Sequence, residues 1–153
     1  MRLKNNENRI KVYRTMEGNI FEAMAAIIVI IMWVVTMNGL QSIDQTVIIS
    51  MSEGSNEAGR ILVNSIIGTA AVLLCLVAAY FPDRMINIHI KLHNTAQYSL
   101  IIRMARVMAL EMGLAFLGSA ADPANKDSIY PILLVIALCV TLVVFRTLIK
   151  RKG

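Results

Sequence analysis

Four apolar stretches separated by polar ones organise this chain. Residues 20–37 read IFEAMAAIIVIIMWVVTM, 61–81 ILVNSIIGTAAVLLCLVAAYF, 100–120 LIIRMARVMALEMGLAFLGSA and 129–149 IYPILLVIALCVTLVVFRTLI. A helix of about 20 apolar residues crosses the ~30 Å hydrocarbon core of a bilayer with every backbone amide and carbonyl paired internally, so each run predicts a transmembrane helix. The third run is the least apolar, because it carries Arg103, Arg106 and Glu111, and charge at mid-membrane is costly. The fourth has a start signal: Ser128 is placed to cap it, and Pro131 falls in the first turn, where a missing amide donor costs little. One segment follows a different period. From Ile86 to His93 apolar and polar residues alternate strictly, the pattern of an extended strand.

The reading is therefore an all-α membrane protein, a bundle of four transmembrane helices at about 20–37, 61–81, 100–120 and 129–149. A basic leader, 1–19, precedes the bundle and a basic tail, 150–153, follows it. The composition agrees: 57% of the 153 residues are hydrophobic and 16% charged. The first run is longer than the core of a cleavable signal and has no small-residue cleavage pattern behind it, so it is expected to be retained. The net charge of +5 takes its meaning from its distribution. With the N-terminus inside, thirteen of the fifteen basic residues fall on the cytoplasmic side: Arg2, Lys4, Arg9, Lys11, Arg14, Arg84, Lys91, Arg103, Arg106, Arg146, Lys150, Arg151 and Lys152. Only Arg60 and Lys126 fall outside. The positive-inside rule then puts both termini in the cytoplasm, where basic ends meet anionic headgroups. A folded basic surface of the kind that binds nucleic acid is not visible.

Two outward segments and one inward segment join the runs. The first, 38–60, is long for a connection and holds an apolar patch at 47–51 that suits a membrane surface. The second, 121–128, is a short turn with Asp122 and Pro123, and its length makes the third and fourth helices antiparallel neighbours. Small residues recur at spacings of three and four on the second run, as Gly68, Ala71, Cys75 and Ala79, and on the third, as Ala105, Ala109 and Gly113. Stripes of this kind let helix backbones approach closely in lipid, so the second and third helices are expected to pack by these faces. Small residues are also simply common in membrane helices. Cys75 and Cys139 lie inside spans and read as packing residues rather than a disulfide framework.

Glu111 is the sharpest chemical signal. It lies eight residues beyond Arg103, about 12 Å deeper, and so near the bilayer middle. A carboxyl at that depth cannot comfortably face lipid. At about 100° per residue it points nearly opposite Ala109 and Gly113, so the third helix needs partners on both faces. Thr69, Thr141 and Trp33 lie at similar depth as candidate hydrogen-bond partners. Functionally Glu111 is a candidate proton or cation site; the plainer reading, favoured because no second acidic group lies at that depth, is a carboxyl bonded to a neighbouring helix. Arg103 and Arg106 lie near the inner interface, where long side chains snorkel to headgroup phosphates. Glu22 lies at the same height, and a pair between it and one of the arginines would offset the cost of burying both.

His89 and His93 carry the remaining candidate chemistry. On a helix they would share a face at a zinc-chelating spacing, but no Glu base or further Cys or His ligand accompanies them. In the extended segment that the alternation predicts, they stand about 13 Å apart, too far for one ion. A tether over 85–93, with Ile86, Ile88, Ile90 and Leu92 laid on the membrane surface, is the preferred reading. No cofactor motif and no Ser-His-Asp or Cys-His grouping is present, so an enzyme is not expected.

The order Pro82, Asn87, Asn94, Tyr98 and Arg103, from the end of the second run into the third, resembles the small bacterial multi-pass membrane proteins related to the N-terminal part of SdpI-type immunity proteins, a domain-of-unknown-function family. The resemblance covers about the first three runs. It implies an extended loop that binds no metal, a place in the bacterial cytoplasmic membrane, and a non-enzymatic accessory, sensor or immunity-type role exerted through protein or lipid partners. In its outward segment the family carries a Pro, a His-Phe pair and then glycines around an acidic residue. Gly54, Glu57 and Gly59 are similar to the last part, whereas Val47, Ile49 and Ser50 stand where the Pro and His-Phe are expected. A second function class, a small transporter or channel working as a homo-oligomer with Glu111 on a shared pathway, follows from the residues alone.

Overall fold

A computed structural model describes residues 15–42, 53–82, 95–122 and 129–151. Four helices account for almost all of them: α1 (Met16–Ser42), α2 (Glu53–Tyr80), α3 (Thr95–Ala121) and α4 (Tyr130–Arg151). Local chemistry sets their ends. Thr15 caps α1, its hydroxyl accepting from the Gly18 amide at 3.1 Å, and Glu17 places negative charge at the positive end of the helix dipole. The last turn of α2 closes with Phe81 N–H donating to the Val77 carbonyl at 2.9 Å, and Pro82, which has no N–H, cannot add a bond to that ladder. In the same way α3 ends just before the Asp122-Pro123 dipeptide. In α4 the first bond runs from Leu133 N–H to the Ile129 carbonyl at 3.0 Å, so Pro131 occupies a position whose amide has no intrahelical partner.

All four helices are longer than the apolar runs that predict them. At 27 residues α1 is about 40 Å long, against a hydrocarbon thickness of about 30 Å, so its polar ends stay helical beyond the core. This corrects the outward segment drawn at 38–60: residues 38–42 belong to α1 and 53–60 to α2. The apolar patch at 47–51, Ser128, and the 85–93 segment with His89 and His93 lie outside the described residues.

Successive helices run antiparallel. Glu22 near the start of α1 meets Tyr80 at the end of α2, Asn64 early in α2 meets Ser119 late in α3, and Gln97 at the start of α3 meets Ile149 at the end of α4. Residues 15 and 151 therefore lie at the same end of the bundle, together with Arg103, Arg106, Arg146 and Lys150; this is termed the basic end. Three helices, α1, α2 and α4, are long and apolar enough to cross a membrane. They carry large exposed apolar side chains in abundance, such as Ile27, Ile30, Leu73, Leu74, Val135 and Val143. The charged helix, α3, is the hub: it packs most extensively on α2, then on α1, then on α4. Among the described residues α4 touches no helix but α3. A helix too polar to face lipid on all sides is thereby surrounded by three that are not.

The core is correspondingly modest. Ala25 of α1, Val72 of α2 and Ala109 of α3 form its centre, flanked by Val29, Cys75, Leu76, Leu110 and Met112. A second cluster of Leu100, Ile101 and Ile149, with Phe145 against it, joins α3 to α4 near the basic end.

Candidate functional site

Polar side chains meet at three depths. Nearest the basic end, the Arg106 Nη2 donates to Glu22 Oε1 at 3.0 Å, and the Tyr80 hydroxyl lies 2.8 Å from both oxygens of the same carboxylate. The guanidinium is buried, its side chain 6% exposed against 24% for Glu22. Room for it comes from Gly18, where a Cβ would lie 2.5–2.6 Å from the guanidinium atoms. Arg106 thus turns inward against α1, where glycine opens a slot and a carboxylate at its edge supplies the countercharge, so the pair expected between Glu22 and one of the two arginines is made by Arg106. Its Nε is buried without a hydrogen-bond partner among the described residues. Arg103, nearer the end, pairs with Glu17 at 2.6 Å, with both side chains more than half exposed. Tyr80 escaped the sequence reading, although a tyrosine closing the second run at the height of Glu22 was the available signal.

In the middle of the bundle the Thr141 hydroxyl of α4 donates to Glu111 Oε1 in a short contact, and Glu111 Oε2 is buried with no hydrogen-bond partner among the described residues. Of the groups at similar depth, Thr141 is therefore the one that reaches Glu111. The other two meet each other: Trp33 Nε1 donates to Thr69 Oγ1 at 3.0 Å, and Thr69 donates to the Ser65 carbonyl at 2.8 Å. One turn along, Thr36 and Ser65 hydroxyls are 2.5 Å apart, and Thr36 also donates to the Met32 carbonyl at 2.8 Å. These hydroxyls and the indole stitch α1 to α2, the least extensively packed of the touching helix pairs among the described residues.

The small residues receive large ones. A Cβ on Gly68 would lie 2.7 Å from Phe116 of α3, and one on Gly113 would lie 2.9 Å from Ile28 of α1 and 3.4 Å from Val72 of α2. Ala79, Ala105 and Ala109 are buried, Ala71 and Cys75 half-buried. The stripe on α3 therefore serves two neighbours, α1 as well as α2.

At the end opposite the basic one, the Asn64 amide donates to the Phe116 carbonyl at 3.3 Å, and the Ser119 hydroxyl reaches Asn64 Oδ1 at 3.5 Å. Beside them is a recess of about 80 Å³ lined by Asn64, Ala115, Phe116, Ser119, Pro131 and Leu134. Among the described residues no three His, Cys, Asp or Glu side chains group to hold a metal ion. Each polar contact holds one or two groups at its own depth, and what such contacts do chemically is tie helices together. No family model, curated protein or solved structure matches this chain.

Proposed function

We propose that this protein is a non-enzymatic component of the bacterial cytoplasmic membrane that acts through protein or lipid partners, in an accessory, sensor or immunity-type role. The observation that carries the reading is that the three charges of α3 are each engaged within the chain: Arg103 by Glu17, Arg106 by Glu22 and Glu111 by Thr141. Groups engaged in this way maintain the bundle, and the surface left for outside contact is the apolar face of α1, α2 and α4 together with the basic end. The resemblance to the SdpI-related family supports the bacterial setting and the role. The charge distribution supports cytoplasmic termini and contact with anionic headgroups.

One observation favours a second reading. Glu111 Oε2, buried without a hydrogen-bond partner among the described residues, is the kind of group a proton- or cation-handling oligomer uses. Proton-coupled flux in liposomes separates the two. No flux from folded protein supports the accessory role, whereas flux that is lost in Glu111→Gln overturns it. The oligomeric state in nanodiscs, read by native mass spectrometry for wild type and Glu111→Leu, adds a second test. A defined oligomer that dissociates in the variant places Glu111 at a subunit contact and favours transport; a monomer in both favours the accessory role.

A further inference from the structure

Among the described residues α4 packs on α3 and not on α2, which leaves a furrow between α2 and α4 floored by α3. The recess of about 80 Å³ lies in it, with Asn64 on the α2 side, Pro131 and Leu134 on the α4 side, and Ala115, Phe116 and Ser119 on the floor. Its depth is fixed by chain position: Ser119 is two residues from the end of α3, Pro131 is the second residue of α4, and Asn64 is six residues into the apolar span that begins at Ala58. That is the level at which a spanning helix passes from hydrocarbon to headgroups, where phospholipids present their ester carbonyls above the first methylenes of the chains.

The chemistry of the walls matches that level. The lining is apolar except for the Asn64 amide and the Ser119 hydroxyl, whose mutual contact of 3.5 Å is long for a hydrogen bond. An amide offers two N–H donors, and among the described residues the Asn64 nitrogen forms a single bond, to the Phe116 carbonyl at 3.3 Å. A cavity of about 150 Å³ holds a whole benzene ring, so this smaller recess takes only a short stretch of chain from a molecule lying mostly outside it. We infer that the recess is a binding site for one bilayer phospholipid, whose acyl chain enters between α2 and α4 against Phe116, Pro131 and Leu134 while an ester carbonyl accepts from Asn64. This rests on the membrane placement proposed above and adds a defined lipid position to it.

The test is photolabelling of the full chain in nanodiscs of phosphatidylethanolamine and phosphatidylglycerol, doped with a phospholipid whose diazirine sits beside the ester of one chain. Adducts are mapped by peptide mass spectrometry. The expected result is labelling concentrated on 115–119 and 131–134, lowered about fivefold in Asn64→Ala, the equivalent of one hydrogen bond. Ala115→Leu and Leu134→Trp, which fill the recess from two walls, are expected to lower it at least as far. The exposed face of α1 around Val34 and Met37, which the Thr36–Ser65 contact puts at the level of Asn64, is the internal control, since its labelling reports membrane embedding and is unchanged in folded variants. Labelling of α1 with none at the recess, equal labelling in the filled variants, or cross-links between two copies in place of lipid adducts would each overturn the site while leaving the membrane reading intact. No labelling on α1 would overturn the membrane reading itself.

Discussion

At the scale of single residues, the best-supported interaction is the Arg106–Glu22–Tyr80 cluster, and its energetics are asymmetric. Removing one member of a buried pair leaves an uncompensated charge and costs about 3–5 kcal/mol, whereas replacing both by apolar groups of similar size is often neutral. Arg106→Ala is therefore expected to destabilise the bundle severely and Arg106→Met with Glu22→Met to recover most of the loss, as measured by reversible unfolding in mixed micelles. Recovery no greater than that of either single variant would show that the pair does not act as a unit. Gly18→Leu tests the slot: the guanidinium must leave, so the variant should lose about as much as Arg106→Ala, and combining the two should add little. For Glu111 and Thr141 the relevant scale is smaller. Interhelical hydrogen bonds in membranes couple by about 0.6 kcal/mol on average and about 1.7 at most, so a double-mutant cycle of Glu111→Gln and Thr141→Val should give a coupling within that range. Glu111 and Arg106 were legible as residues that need partners, because lipid forbids them to stand alone. The partners were legible as short sets, Thr69, Thr141 or Trp33 for Glu111 and Glu22 for one of the two arginines; the choice within each set was not, since rotation and height at a helix contact depend on neighbours that hydropathy does not specify. Gly18 shows the limit, a glycine in a polar leader whose role exists only once α3 lies against it.

At the scale of elements, α4 differs from the others. In lipid the apolar faces of helices gain little from meeting each other, so association rests on close packing and hydrogen bonds. The described ties of α4 are Thr141 to Glu111, Gln97 to the Ile149 carbonyl at 3.1 Å, the Leu100, Ile101 and Ile149 cluster, and the Tyr130 ring over Gly118. A Cβ on Gly118 would lie 2.5 Å from that ring, so Gly118→Leu should push α4 outward. By contrast α1, α2 and α3 touch one another in every pair. The single tryptophan reports on that trio, because Trp33 donates to Thr69 across α1 and α2 and α4 is not involved. Gly118→Leu combined with Thr141→Val is expected to leave Trp33 emission unchanged, while Thr69→Ala shifts it. A shift in the first variant would mean that α4 is integral to the trio. Helix number and order were legible from runs of apolar residues near membrane length, and the turn after the third from Asp122 and Pro123. The polar extensions, as at 38–42 and 53–60, were not, because hydropathy marks where a helix meets lipid and not where its hydrogen bonding stops.

At the scale of the molecule, the antiparallel order and the charge distribution combine into one asymmetry. The end that gathers residues 15 and 151 also holds Arg103, Arg106, Arg146, Lys150 and Arg151, while Arg60 lies toward the other. Not all of this charge is available to set orientation. Arg106 is buried against Glu22, and Arg103 is paired with Glu17, so the free basic charge among the described residues of that end rests mainly on the close of α4. The positive-inside bias counts Lys and Arg near span ends, and Arg146, Lys150 and Arg151 satisfy it directly. Sidedness is therefore expected to depend on the tail of α4 and on the leader more than on the arginines of α3. In a background where Cys75 and Cys139 are replaced by Ala, Arg60→Cys should react with an impermeant maleimide on intact cells, and Lys150→Cys only after permeabilisation. Replacing Arg146, Lys150 and Arg151 by Gln should let a fraction of chains expose position 150 without permeabilisation. Replacing Arg103 alone should not. Reaction of Lys150→Cys on intact cells in the native charge background would reverse the assigned sidedness. The lipid recess would then lie in the inner leaflet, and the Arg106–Glu22–Tyr80 cluster in the outer one.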